Sequence, residues 1–238
     1  MNTYIVIPAR KGSKSIPNKN KMMFMDKPLY EWTFDISKEC FDRRIVQGVC
    51  LVSDDYDLIR AAEKYGFNVI YEPTCIAGDI SSDINWAHFV ITSLDLIHKE
   101  LDAIMHLRVT HPFREPDILD DALRVAKKAF EFDDYDSLRS VSVAKQSPWK
   151  MWFIKDRILS PVIDMPHMEA YNMPRQILSV AYWQNGYVDI FKRSCVLQKN
   201  SMTGTKIYPY IIESNLEIDY PSDLPGYTGE IERERVPS

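Results

Sequence analysis

Short apolar runs alternate with amphipathic stretches through roughly the first half of the chain. Tyr4 to Ile7 is a compact apolar run closed by Pro8, as expected of a strand buried on both faces. Val46 to Val52, Phe67 to Tyr71 and Ala103 to Val109 repeat that pattern. The stretches between them have helical spacing. One predicted helix has Pro28 in its first turn and runs through Trp32, Phe34 and Ile36 to about Cys40. Ser53-Asp54-Asp55 would cap a second, with Leu58, Ile59, Ala62 and Tyr65 on one face and Gly66 as its stop. Ser81-Ser82-Asp83 would cap a third through Ile84, Ala87, Val90, Ile91 and Leu94, and Asp117 to Phe132 reads as a fourth. Alternating β and α segments with short links predict a parallel sheet covered by helices on both faces.

Beyond residue 137 the pattern changes. Ser140–Val143, Met151–Ile154, Val188–Phe191 and Ile207–Ile212 are short apolar segments set among prolines 148, 161, 166 and 174. They predict antiparallel hairpins and an excursion from the main sheet, and the tail after about Pro225 reads as weakly ordered. With 238 residues, 45% hydrophobic and 26% charged, disorder and fibrous structure are excluded, and one large α/β domain or a domain with an appendage fits. Cys40, Cys50, Cys75 and Cys195 lack the close spacing of a zinc or redox motif and read as buried free thiols. Neither a secretory signal nor a membrane-spanning run is visible, so the expectation is a cytoplasmic protein without a membrane partner.

Charge changes the picture locally. The chain has 29 Lys and Arg against 34 Asp and Glu, a formal charge of −5, which argues against a general nucleic-acid coat. Yet residues 10–21 hold Arg10, Lys11, Lys14, Lys19 and Lys21 without one acid, leaving 24 bases against 34 acids elsewhere. The loop follows the first strand, where an open α/β sheet binds its ligand. Gly12, Ser13 and Ser15 would let backbone N–H groups approach anionic oxygens that Arg and Lys neutralise, so a triphosphate suits it. The spacing fits neither a Walker A loop nor a dinucleotide fingerprint, and a solvated basic turn is the bland alternative.

The stretch I-P-A-R-K-G-S-K-S-I-P-N-K-N at 7–20 resembles the N-terminal signature of the acylneuraminate cytidylyltransferases, the CMP-sialic acid synthetases and their relatives. Further likenesses follow in order: L-V-S-D-D at 51–55, I-A-G-D-I-S-S-D at 76–83, L-R-V-T-H-P-F-R at 107–114, P-R-Q at 174–176, Q-N-G at 184–186 and E-I-D-Y-P-S-D-L at 217–224. The resemblance implies a single α/β nucleotidyltransferase domain over 1–238, with a Rossmann-like, mainly parallel sheet. A small antiparallel dimerisation and substrate arm would occupy about 147–185.

It also implies roles. Ala9, Arg10, Gly12, Ser13, Lys19 and Asn20 would bind the nucleotide, with Arg10 and Lys19 on its phosphates, while Glu72, Ser82 and Asp83 would lie by the base. Arg108, Thr110, Lys150, Arg175, Gln176 and Asn185 would meet an acidic sugar; Asn185-Gly186 would equally serve a turn. Asp219, with Glu217, would hold Mg²⁺: two residues apart on a strand, their side chains leave one face, although a solvent-facing strand edge reads as well from the residues alone. The implied reaction is attack of an anomeric hydroxyl on the α-phosphorus of CTP with release of pyrophosphate, by a homodimer. It stays open whether Lys150 and Arg175 serve their own or the neighbouring subunit's site. Arg108, Glu72 and Asp83 depart from the family pattern and leave the sugar and base open; Ser15 and Glu217 depart from it in the loop and at the metal position. Other readings are a sugar-phosphate nucleotidyltransferase using GTP or another NTP, and a non-catalytic nucleotide- or RNA-binding protein. Among the histidines and Cys195, no triad or metal cluster is expected, and Trp149 and Trp152 read as core or interface aromatics.

Overall fold

The computed structural model describes residues 1–12, 16–71, 83–97, 101–165, 168–213 and 218. The strands are β1 (Thr3–Pro8), β2 (Met23–Phe24), β3 (Lys27–Pro28), β4 (Gly48–Ser53), β5 (Asn68–Tyr71), β6 (Ala103–His106), β7 (Ser137–Val143), β8 (Trp152–Lys155), β9 (Ile158–Pro161), β10 (Tyr182–Lys192) and β11 (Ile207–Ile211). The helices are α1 (Leu29–Asp42), α2 (Tyr56–Lys64), α3 (Asp83–Leu96), α4 (Pro116–Phe132) and α5 (Arg193–Lys199). Seven strands form one sheet in the order β11-β7-β10-β6-β1-β4-β5, in which only β10 runs against the rest.

Burial explains why these runs became strands. Ile5 and Ile7 face one layer, where they pack with Leu29, Phe34, Leu58, Leu119 and Ala122 from α1, α2 and α4. Tyr4 and Val6 face the other, against Trp86, Val90 and Leu94 of α3 and Val196 of α5. A strand covered on both sides has no polar alternation, which is why the sequence shows unbroken apolar runs. Gly48 is required where β4 passes Tyr4: a Cβ there would lie 2.8 Å from Tyr4 Cδ1.

The helices-on-both-faces expectation holds, with local corrections. Pro28 closes β3 and precedes α1 instead of occupying its first turn. The fourth predicted strand ends at His106, because residues 107–109 turn away into the loop ahead of α4. The largest correction concerns the second half of the chain. β7, β10 and β11 join the main sheet, and the antiparallel excursion is confined to the β8–β9 hairpin. The helix α5 has no counterpart in the sequence pattern as read; it is only seven residues long, with Cys195 and Val196 buried. Cys40, Cys50 and Cys195 are buried free thiols, and burial pushes the Cys40 thiol up to about 12; Cys75 lies outside the described residues. Among the described residues no helix is long and apolar enough to cross a membrane.

Candidate active site

From β1 the chain builds outward to β4 and β5, then returns to place β6 on the other side of β1. The connections therefore reverse direction between β1 and β6, and the carboxyl ends of these neighbouring strands flank the crevice where open α/β sheets bind ligands. The basic loop leaves β1 there, and the 107–114 loop leaves β6.

The basic loop is tied to the end of β4. Ala9 is buried; its N–H donates to Val52 O at 2.9 Å, and its carbonyl accepts from Ser53 Oγ at 2.6 Å. The Lys11 N–H donates to Asp54 Oδ1 at 2.7 Å. Asn20 Nδ2 donates to Arg10 O at 2.9 Å, closing the loop on itself. Lys21 Nζ lies 2.9 Å from Asp55 and 3.0 Å from Asp57, and those bonds raise its pKa. Asp55 meanwhile caps α2 by accepting from the Asp57 N–H at 2.9 Å. Arg10 and Gly12 are exposed, Lys19 is half-buried, and a Cβ on Gly12 would meet nothing within 4 Å. The backbone is thus fixed while open space adjoins Gly12, an arrangement suited to an anion.

The loop after β6 is held from within by Arg114, which is 8% exposed. Its guanidinium donates to Tyr187 O at 2.7 Å, His111 O at 2.6 Å, Arg108 O at 2.9 Å, Gly186 O at 3.2 Å and Thr33 Oγ1 at 3.2 Å. One side chain therefore joins this loop to α1 and to β10. Thr110 O accepts from the Ile218 N–H at 2.8 Å, and Ile218 is fully buried. His111 packs edge-on against Tyr187, and burial, then Arg114, pushes its imidazole down to about 3.

Opposite that loop, β10 bulges away from β7 between Gln184 and Asp189. Asn185, 1% exposed, accepts from Ser140 Oγ at 2.7 Å and from the Tyr187 N–H at 3.2 Å, and donates to Ser142 Oγ at 2.8 Å. Gly186 follows at φ +69°, a conformation glycine adopts freely. The geometry accommodates the turn reading of Asn185-Gly186, with one amide N–H of Asn185 bonded inside the bulge. At its edge Arg108 lies 3.8 Å from Asp189, which also accepts from Arg139 at 2.8 Å and Gln184 at 3.3 Å.

The structure thus gathers Ala9, Arg10, Gly12, Lys19 and Asn20 in the loop after β1, and Arg108 and Thr110 in the loop after neighbouring β6. Lys150, Arg175 and Gln176 lie on the arm. Lys150 Nζ donates to Tyr171 O at 3.0 Å, Arg175 contacts Gln146 at 3.3 Å, and Gln176 is exposed. Asp83 is described as the first residue of α3, while Ser13, Glu72, Ser82, Glu217 and Asp219 lie outside the described residues. Sequence reasoning does not pick out Arg114, Arg139 or Asp189 as site residues. Arg114 falls within a recognised stretch, but burial of an arginine is not a sequence signal. An open cleft of about 540 Å³ lies between α1 and residues 111–115. Asp35, Glu39, Glu115 and Glu213 outnumber Lys27 and Arg114 along it, the wrong balance for a triphosphate. Among the described residues no three His, Cys, Asp or Glu side chains group as a metal site.

Comparison with known proteins agrees with this geometry. Residues 4–203 match a family model described as cytidylyltransferase. An N-acylneuraminate cytidylyltransferase from Escherichia coli O18:K1:H7 is 26% identical over 227 residues, covering 92% of this chain and 49% of the relative. A CMP-N,N'-diacetyllegionaminic acid synthase from Legionella pneumophila is 25% identical over 236 residues, covering 94% of this chain and 93% of that one. The chain spans about half the length of the first curated relatives it matches, but nearly all of the Legionella protein. In fold it resembles a CMP:2-keto-3-deoxy-manno-octonic acid synthetase solved with CTP, at a TM-score of 0.63 and 15% identity, covering 93% of this chain and 95% of that one.

Proposed function

The chain belongs to the cytidylyltransferase family, and from that membership we propose that it activates a sialic-acid-like nonulosonic acid with CTP. The products are the CMP-sugar and pyrophosphate. The observation that carries this reading is the basic loop, secured to β4 through Ser53, Asp54 and Asp55 and opening at the β1–β6 reversal. The anomeric hydroxyl oxygen attacks the α-phosphorus, the bond from that phosphorus to the bridging oxygen breaks, and pyrophosphate departs. Arg10 and Lys19 offset the charge gathering on the phosphate oxygens, so catalysis is chiefly positioning and electrostatic stabilisation.

The donor chemistry of Asp219 and Glu217 suits Mg²⁺, a hard cation that takes carboxylate oxygens and keeps much of its water. Ile218 is anchored to Thr110 in the loop after β6. Bound there, Mg²⁺ would neutralise phosphate oxygens. The homodimer belongs to the proposal too. Phe153, Ile154, Ile158 and Leu159 on the β8–β9 hairpin are each more than half exposed, an apolar surface suited to a second copy. In that assembly Lys150 and Arg175 could reach either subunit's site. The protein is read as cytoplasmic.

The test is pyrophosphate release across all four NTPs and a set of keto sugar acids, with and without Mg²⁺, and sedimentation of the same sample. The expected result is turnover dependent on CTP, Mg²⁺ and one acid, by a dimer. No turnover with any acid sinks the activity, preference for GTP overturns the base, and a monomer removes the dimer.

A further inference from the structure

The cleft between α1 and residues 111–115 has an apolar floor and an acidic rim. Trp32, Asp35, Ile36 and Glu39 follow one another at i, i+3, i+4 and i+7, so a single face of α1 borders it over about 10 Å. Ile36 is buried at the bottom, with Ile118 and Ile212 half-buried beside it. Phe113 is 43% exposed and Trp32 half-buried, so two aromatic rings remain partly open to the cleft. Asp35, Glu39, Glu115 and Glu213 are all exposed around these apolar groups.

Two features indicate what such a cleft takes. Its aromatic wall is fixed before any partner arrives. Trp32 and Phe113 meet edge-on at 5.3 Å, Phe24 packs against both, and Trp32 Nε1 donates to Phe24 O at 3.2 Å. A rigid aromatic surface of this kind loses little entropy on binding. At one end the cleft already holds a cation: Lys27 Nζ lies 4.2 Å from the centre of the Trp32 ring and pairs with Asp35. Further along, acids are in excess. Arg114 is buried, with its guanidinium donating to carbonyls and to Thr33. Arg43 reaches Glu39 at 3.6 Å but also pairs with Asp117, while Glu115 and Glu213 make no ion pair among the described residues.

We propose that this cleft docks a short basic segment of a partner protein, one that carries a large apolar side chain among its Lys and Arg residues. The apolar side chain packs against Trp32, Ile36 and Phe113, and the bases pair with Glu39, Glu115 and Glu213. Two nearer occupants lack the complementary charge. The chain's own end resumes close by, since the Ile218 N–H donates to Thr110 O, immediately ahead of the lining residues 111–115. Yet residues 219–238 carry Asp219, Asp223, Glu230, Glu232 and Glu234 against Arg233 and Arg235. A second copy would offer its densest basic segment, 10–21, but that loop is already folded onto Asp54, Asp55 and Asp57 of its own chain. The docking cleft and the CTP reading stand independently of each other.

The test is fluorescence anisotropy of a fluorescein-labelled heptapeptide, composed of Lys and Arg around one Leu and one Phe, titrated with the full chain. Two comparison peptides replace every base by Glu, or the Leu and Phe by Ser. The basic apolar peptide should bind, and each replacement should weaken binding by about tenfold or more. Glu39→Lys combined with Glu213→Lys should weaken it to a similar degree, and Phe113→Ser by about fivefold. Reversing two exposed acids outside the cleft, Glu63→Lys with Glu131→Lys, should change it by less than about twofold. Tyr227→Ser with Ile231→Ser should leave it unchanged. Absence of binding, equal binding of the Ser peptide, or equal losses from the cleft and outside reversals overturns the proposal. Tighter peptide binding in the Tyr227→Ser, Ile231→Ser chain would give the cleft to the chain's own end. A dimer that Phe113→Ser splits would give it to a second copy, and either result overturns the proposal as well.

Discussion

The two ends of the candidate site are built in opposite ways. At the β1 end a short loop is tied down largely by nearby groups at the surface, Asn20 to Arg10, Lys11 to Asp54 and Lys21 to Asp57, with Ser53 and Asp55 buried beneath it. At the β6–β10 end the ties are buried and come from distant parts of the chain, with Arg114 clasping α1, its own loop and the bulge at once. The difference teaches where specificity can change cheaply. In the proposed reaction one local loop meets the phosphates, whereas the other end of the site draws its groups from α1, the loop after β6 and β10.

Breaking Arg114 should have the largest effect and should fall on the second end. Its five bonds reach four carbonyls and one hydroxyl, all of which lose a donor in Arg114→Met. Leaving several buried acceptors unsatisfied should cost about 3–5 kcal/mol in denaturant unfolding. A lysine at this position cannot substitute, because one ammonium does not span that fork; Arg114→Lys should recover less than half. A loss below about 1 kcal/mol would mean the loop and bulge are held by something else.

That contrast also governs what could be read in advance. The loop at 8–20 was legible because its charges and small residues are contiguous, and the strand-helix alternation because buried strands leave unbroken apolar runs. The sheet's second half was not. β7 and β10 carry Arg139 and Asp189 at positions facing inward, so their apolar patterns break off and resemble isolated hairpins. The pairing of these two residues, 50 apart, exists only once β10 enters the sheet antiparallel beside β6. Arg114 was hidden for a related reason: nothing in its neighbours signals that β10 brings in two carbonyls and α1 a hydroxyl to join the two carbonyls of its own loop. Asn185 suits a sugar or a turn equally in the sequence; that its amide bonds Ser140 and Ser142 appears only once β7 and β10 are paired.

Acid should separate the two ends next. His111 is pushed down to about 3 by burial and then Arg114, and His106 is also lowered, by burial and then Arg108. An unfolded imidazole titrates near the model value of 6.5, so below that pH the unfolded chain binds more protons and stability falls. His111 alone should cost about 2 kcal/mol between pH 7 and pH 5. Urea midpoints across that range measure it, and His111→Gln should flatten the slope. At the β1 end Lys21 is raised by its carboxylate partners and Asp57 lowered by Lys21 and Arg60, so that pair keeps its charges over this interval. A wild-type stability that stays level to pH 5 would contradict the buried, neutral imidazoles.

The smallest effect is expected at the β1 end, and it should be one of function more than of stability. Lys21→Ala removes the cation between Asp55 and Asp57, but Asp55 keeps its bond to the Asp57 N–H and continues to cap α2. Because Lys21 is partly solvated, unfolding stability should fall by only about 1 kcal/mol. The loop bearing Arg10 and Lys19 loses an anchor at its far end, and re-ordering it becomes a cost of binding nucleotide. KM for CTP should therefore rise about fivefold, equivalent to about 1 kcal/mol, with KM for the sugar unchanged. Should sugar KM rise in step, the two ends would be one mechanical unit, and the contrast between them would not hold.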